Sequence, residues 1–249
     1  MIQLGSLTNT TETFSITAIV DSALCVGAGG SSGSLADKPI LRNAENNLII
    51  PASQVKGRLR HECEKIARGL GWQICQAPAA GMMRLRREEV EAAENGYLAQ
   101  FKQDQYKVPN YPDTYHCLVS QIFGDPILPS RIILDDLVCE ENPENLPEVL
   151  RPGVSINRRR RTAEDQKLFF LETSPANAQL RFTGKLYILP SYTPNLVDYA
   201  KALIWAGFQH IQALGGSKSA GLGWLHWELP PIGQVSPEVW SFLAQEETA

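Results

Sequence analysis

Nowhere does the sequence reach the ~20 consecutive apolar residues that a membrane-spanning helix needs. The opening MIQLGSLTNT carries neither the basic nor the apolar region of a secretory signal, so a cytoplasmic protein is expected. Cysteine is sparse: five, an odd number at irregular spacing, fit reduced thiols or metal ligands better than a disulfide framework. Low-complexity tracts and internal repeats are missing, which leaves one elaborated domain over residues 1–249. There is no overall surplus of base either. A net charge of -4 excludes a protein that coats nucleic acid indiscriminately, although positive charge clusters at Arg158-Arg159-Arg160-Arg161. What is there, 43% apolar and 20% charged, is an ordinary composition in a chain long enough to bury a real core.

Residues 12 to 20 alternate Phe14, Ile16 and Ala18 with polar partners, which predicts a half-buried strand. A helix follows from Ser53 to about Leu70, with Ser53 as its N-cap and Val55, Leu59, Cys63, Ile66 and Leu70 as its apolar stripe. Ile132 to Cys139 predicts a second strand and Leu180 to Ile188 a third. A second helix is expected from Thr193-Pro194, with Ala200, Leu203, Gly207, Ile211 and Leu214 as its stripe, until Gly215 stops it. A last strand is expected from Leu222 to Glu228. The order βαββαβ is that of a ferredoxin-like (RRM-like) α+β fold. Two long insertions, 71–129 and 140–179, interrupt it.

The stretch from Gly27 to Arg68 concentrates the chemistry. Gly27, Gly29, Gly30 and Gly33 form a glycine-rich loop that leads to Asp37, and such a loop lets backbone approach a bulky ligand. Lys56 and Arg60 lie four apart on the next helix and, with its N-terminal amides, describe an anion site. The same spacing is also that of a solvated surface helix.

Four segments in order narrow the choice. Asp37-Lys38-Pro39-Ile40 precedes Ile50-Pro51-Ala52-Ser53-Gln54-Val55-Lys56-Gly57-Arg58-Leu59-Arg60. Ile122-Phe123-Gly124 precedes Arg131-Ile132-Ile133-Leu134-Asp135-Asp136, then comes Val154-Ser155-Ile156-Asn157-Arg158 with Thr162-Ala163. Last comes Leu214-Gly215-Gly216-Ser217-Lys218-Ser219-Ala220-Gly221-Leu222-Gly223. Together they resemble the RAMP superfamily of CRISPR proteins, in particular the backbone subunits of type III RNA-guided effector complexes. The family patterns are "IPGSSLKGxLR", "LFG" with "RLxxxDA", "VxIDRxTGxA" and "GGxKSRGxG". Ala52 departs from the first pattern, Asn157 from the third and Ala220 from the fourth.

The resemblance implies a subunit that holds CRISPR guide RNA while base pairing selects a complementary target RNA, with other effector subunits beside it in a filament-like complex. Ser53, Lys56, Arg58, Arg60, Gly215, Gly216 and Lys218 would hold guide phosphates. Val154 to Glu172 would form the family's thumb hairpin, with Asn157, Arg158, Arg159 and Arg160 meeting RNA. Asp37 takes the position of the acid that supports Mg2+- or Mn2+-dependent cleavage of the target RNA. His61, Cys75, His116 and Cys117 fall where some relatives carry a structural zinc. A non-catalytic guide-binding scaffold is the alternative. A guide-processing endonuclease using His61 as general base is the third reading.

Overall fold

The computed structural model describes residues 11–27, 36–72, 74–75, 85–86, 114–126, 128–176, 178–190, 199–233 and 239. Gly29, Gly30, Gly33 and the expected helix start at Thr193-Pro194 lie outside them.

β1 spans Glu12–Val20 and lies second from one edge of the main sheet. Its neighbours are β9 (Leu180–Ile188) and β10 (Leu225–Glu228), both antiparallel to it, with Val20 facing Leu180 on one side and Leu225 on the other. Beyond β9 come β5 (Ile132–Leu134), β6 (Leu137–Cys139) and the two-residue β2 (Ile49–Ile50). The order β10-β1-β9-β6-β2, with every pairing antiparallel, is the ferredoxin-like arrangement expected from βαββαβ.

The expected single strand from Ile132 to Cys139 is in fact two. A Cβ on Gly184 of β9 would lie 2.7 Å from the Leu137 side chain and 3.0 Å from the Asp136 carbonyl. The chain therefore crosses close over Gly184 at Asp135-Asp136, and β5 and β6 pair with β9 on either side of that crossing.

One face of the sheet carries α1 (Ala52–Gly69) and α3 (Ala200–His210). Val55, Leu59 and Cys63 of α1 meet Leu203, Gly207 and Phe208 of α3, and Ile16, Ala18, Val20, Phe182 and Leu186 complete the core beneath them. Gly207 makes the approach possible, since a Cβ there would fall 2.7 Å from the Cys63 sulfur. Cys63 is a core thiol, and burial pushes it well above the ordinary thiol range.

Three sequence expectations need correction. Ser53 does not cap α1: it lies inside the helix, Pro51 is the N-cap, and the first amide, of Ala52, donates to Asp136 Oδ1 at 2.7 Å. α3 ends at His210, because Ile211 and Leu214 are buried from extended chain and not from a helical face. β10 starts at Leu225, because Gly223 sits at φ +71° in the turn that precedes it.

The first insertion contributes β3 (Leu85–Arg86), β4 (Thr114–Tyr115) and α2 (Leu118–Phe123). The second contributes a long antiparallel hairpin, β7 (Val149–Asn157) and β8 (Thr162–Thr173). Among the described residues, no helix is long and apolar enough to cross a membrane.

Candidate nucleic-acid interface

The tip of the hairpin is shaped by one side chain. Asn157 Oδ1 accepts from the amides of Arg159 and Arg160, each at 3.1 Å, and the Arg161 amide donates to the Asn157 carbonyl at 2.7 Å. Arg161 takes a left-handed conformation, φ 58°, to close the turn. Asparagine thus supplies the acceptor that an aspartate would supply there. The result is that Arg158, Arg159 and Arg160 stand exposed at the end of two long strands.

The base of the hairpin carries Asp37. Its amide donates to the Phe170 carbonyl at 3.0 Å, and the Phe170 amide donates back to Asp37 Oδ2 at 2.7 Å. Next, Lys38 bridges Leu171 in parallel, the Glu172 amide donates to the Lys38 carbonyl at 3.1 Å, and the Ile40 amide donates to Glu172 Oε2 at 3.1 Å. Residues 37 to 40 therefore run along β8 as a short extra strand, and Asp37 is exposed on it. One carboxylate oxygen is spent on docking the hairpin; the other is free of protein hydrogen bonds among the described residues.

The C-terminal glycine loop, Leu214 to Gly223, packs against the same region. Its ends are tied by the Leu214 amide donating to Gly223 O and the Gly223 amide donating to Ala23 O, both at 2.9 Å. Gly215, at φ +87°, comes so close to Cys25 that a Cβ would lie 2.5 Å from the Cys25 carbonyl. The Gly216 amide donates to that carbonyl at 2.7 Å, so it is already used and is not a spare phosphate donor. Lys218 folds over the loop, Nζ to the Gly215 carbonyl at 3.4 Å. Gly27, on the segment that supports the loop, bridges Ile40. Asp37, the glycine loop and the hairpin base thus share one support, residues 23–27.

Sequence reasoning passed over Lys38. It is exposed, and its ammonium opposes the upward push that burial gives the Cys25 thiol. Adjacency to Asp37 was the signal that could have found it.

The basic residues of α1 are placed differently. Lys56 Nζ donates to Ser130 Oγ at 2.9 Å and to the Ile132 carbonyl at 3.3 Å, and burial, then Arg60, push its pKa down. Arg60 donates to Glu64 at 3.1 Å and to the Gly124 carbonyl at 3.0 Å. Arg58 pairs with the covered carboxylate of Glu62 at 2.8 Å. Ser53 is exposed in the first turn. The stripe clamps the 124–132 segment, and the Asp136 carboxylate sits at the helix N-terminus where an anion site was expected. Among the described residues, no hydrogen bond or ion pair joins these side chains to Asp37 or the glycine loop.

The four residues expected to hold zinc do not converge. His61 is exposed on α1, and His116 Nδ1 turns to Asp125 Oδ2 at 2.5 Å. Cys75 and Cys117 do meet. The bond between them, with burial, raises Cys75; burial also works to raise Cys117, but bonds from Cys75 and Ser120 bring it down to about 6. Among the described residues no three His, Cys, Asp or Glu side chains form a group that could hold a metal ion.

No curated protein sequence matches the chain. A family model does: that of the RAMP superfamily, over residues 17–226, which runs from the middle of β1 into β10 and includes Asp37, the hairpin and the glycine loop. With that match over most of its length, the chain belongs to the RAMP superfamily, a family of CRISPR-associated RNA-binding proteins that includes some ribonucleases.

Proposed function

We propose that this chain is a guide-RNA-binding backbone subunit of a type III CRISPR effector complex and that Asp37 cleaves the target RNA paired to that guide. The observation that carries the reading is the docking of exposed Asp37 on the base of the arginine-tipped hairpin, which leaves its second carboxylate oxygen without a protein hydrogen bond among the described residues. Arg158, Arg159, Arg160 and Lys218 hold RNA backbone by charge, so binding weakens with salt. Lys56 and Arg60 act from behind by fixing the 124–132 segment.

Asp37 takes the proton of a ribose 2'-hydroxyl as its oxygen attacks the adjacent phosphorus, and the 5'-oxygen leaves. The hairpin holds the nucleotide so that attack and departure are in line. Asp37 would offer its second carboxylate oxygen to Mg2+ or Mn2+, and the ion would stabilise the developing negative charge. The zinc set has no part in this reading. Other effector subunits in a filament-like assembly are its expected partners.

The test is Asp37→Ala in the assembled complex, with target RNA followed in Mg2+. Loss of cleavage with target still bound, and 2',3'-cyclic phosphate ends on the wild-type products, are the expected results. Full cleavage by the variant leaves the second reading, a scaffold that binds guide RNA and does not cut. That reading draws on the absence, among the described residues, of a cluster of metal-ligating side chains around Asp37.

A further inference from the structure

We propose that Lys38 is a phosphate-binding residue, and that Lys38 and Lys218 hold one RNA backbone phosphate between them across the Cys25–Gly27 segment. This rests on the RNA-binding reading above and names the contact that orients RNA at Asp37.

The two lysines belong to segments that are far apart in sequence and rest on one piece of chain. Lys38 is held through its backbone: its amide faces the Phe170 carbonyl at 3.4 Å, and its carbonyl accepts from Glu172 at 3.1 Å. The Lys38 side chain starts beside residues 25–27: a Cβ on Gly27 would lie 3.8 Å from that of Lys38. On the other flank, a Cβ on Gly216 would lie 3.7 Å from the Cys25 sulfur, and Lys218 stands over that glycine pair.

Among the described residues, neither ammonium has a carboxylate partner. Lys38 makes no side-chain hydrogen bond among the described residues, and Lys218 has only the Gly215 carbonyl at 3.4 Å. Glu172, whose amide donates to the Lys38 carbonyl, spends its carboxylate on the Ile40 amide. Two cations on a floor kept low by Gly27 and Gly216 suit a phosphodiester, whose two non-bridging oxygens can each accept from one ammonium. The glycines also let the sugar-phosphate backbone come close. Lys38 and Asp37 are neighbours on the stretch that docks on β8, so Lys38 is a positioning residue for the phosphate whose adjacent 2'-hydroxyl Asp37 deprotonates.

The full chain, as Lys38→Gln, Lys218→Gln, the double variant and Lys38→Arg, is titrated with a mixed-sequence single-stranded RNA over a range of salt. Each glutamine variant is expected to weaken binding several-fold and to reduce the slope of log K against log salt by about 0.7, the loss of one phosphate contact on a single strand. The double variant loses less than the product of the single losses, because both side chains serve one phosphate, and Lys38→Arg keeps most of the affinity. If Lys218→Gln weakens binding and Lys38→Gln does not, the Lys38 site is wrong and the RNA-binding reading stands. If both variants bind as wild type and the hairpin arginines also prove neutral, the RNA-binding reading falls with it.

Discussion

Two glycines of the C-terminal loop should respond very differently to the same added methyl group. Gly221 sits at φ +86° with nothing within 4 Å of a prospective Cβ, so Gly221→Ala introduces only the left-handed strain of an L residue, about 1–2 kcal/mol. Gly223, at φ +71°, bears the same strain, but its Cβ would fall 1.8 Å from the Leu214 carbonyl oxygen. That overlap cannot be relieved by a side-chain rotation. The backbone must part, which breaks the Leu214-to-Gly223 and Gly223-to-Ala23 hydrogen bonds, both at 2.9 Å. At about 1 kcal/mol for each bond, Gly223→Ala loses about 3–4 kcal/mol in all. For a chain of this size the difference between the variants is about 4–8 °C in melting midpoint. Urea and thermal denaturation of the two variants give the comparison directly, and RNA affinity of the folded fraction should fall for Gly223→Ala because Lys218 rides on the loop. Equal loss in the two variants would refute the claim that Gly223 closes the loop.

Two further outcomes follow from the charges on α1. Burial works to raise the Glu62 carboxyl, but Lys65 and Arg58, at 2.9 and 2.8 Å, outweigh it and hold its pKa below the ordinary value. A carboxylate depressed on folding stabilises above its unfolded pKa, about 4.3, and that contribution is lost as pH falls through the folded value. Glu62→Gln should therefore lower stability at neutral pH and flatten the acid limb of a urea-denaturation pH series; an unchanged limb contradicts the assignment. Lys56→Met removes charged bonds to Ser130 and Ile132 and should cost about 1–2 kcal/mol in urea denaturation, while RNA affinity of the folded protein holds. Lost RNA affinity at unchanged stability would return the α1 stripe to the interface.

Periodicity reports which face of an element is covered, and here it served well where the covering layer is the core. The alternation of Leu180, Phe182, Leu186 and Ile188 against Arg181 and Lys185 is the observed burial of β9, and Val55, Leu59 and Cys63 are fully buried on α1 as their spacing implies. It failed where a coincidence of spacing crossed a boundary. Ile211 and Leu214 continue the helical stripe of α3, yet they are buried from extended chain. Nor does a run of apolar residues show that Gly184 on another strand will split it into β5 and β6.

The site was legible in its parts and illegible in its pairings, because a polar residue's role depends on what arrives opposite it. Lys56 and Arg60 have the spacing of a phosphate grip, but Lys56 reaches Ser130, 74 positions away, and the helix N-terminus receives Asp136, 84 positions away. Asp37 meets Phe170 across 133 positions. Those distant partners decide which charges remain free for a ligand. On α1 they consume the charge, whereas on the hairpin tip and beside the glycine loop they leave it exposed. Among the described residues, exposed bases without a carboxylate partner include Arg158, Arg159 and Arg160 on the hairpin whose base docks Asp37. An RNA held by Arg158, Arg159, Arg160 and Lys218 would extend from the hairpin tip to its base and meet the carboxylate there, which α1 alone could not arrange.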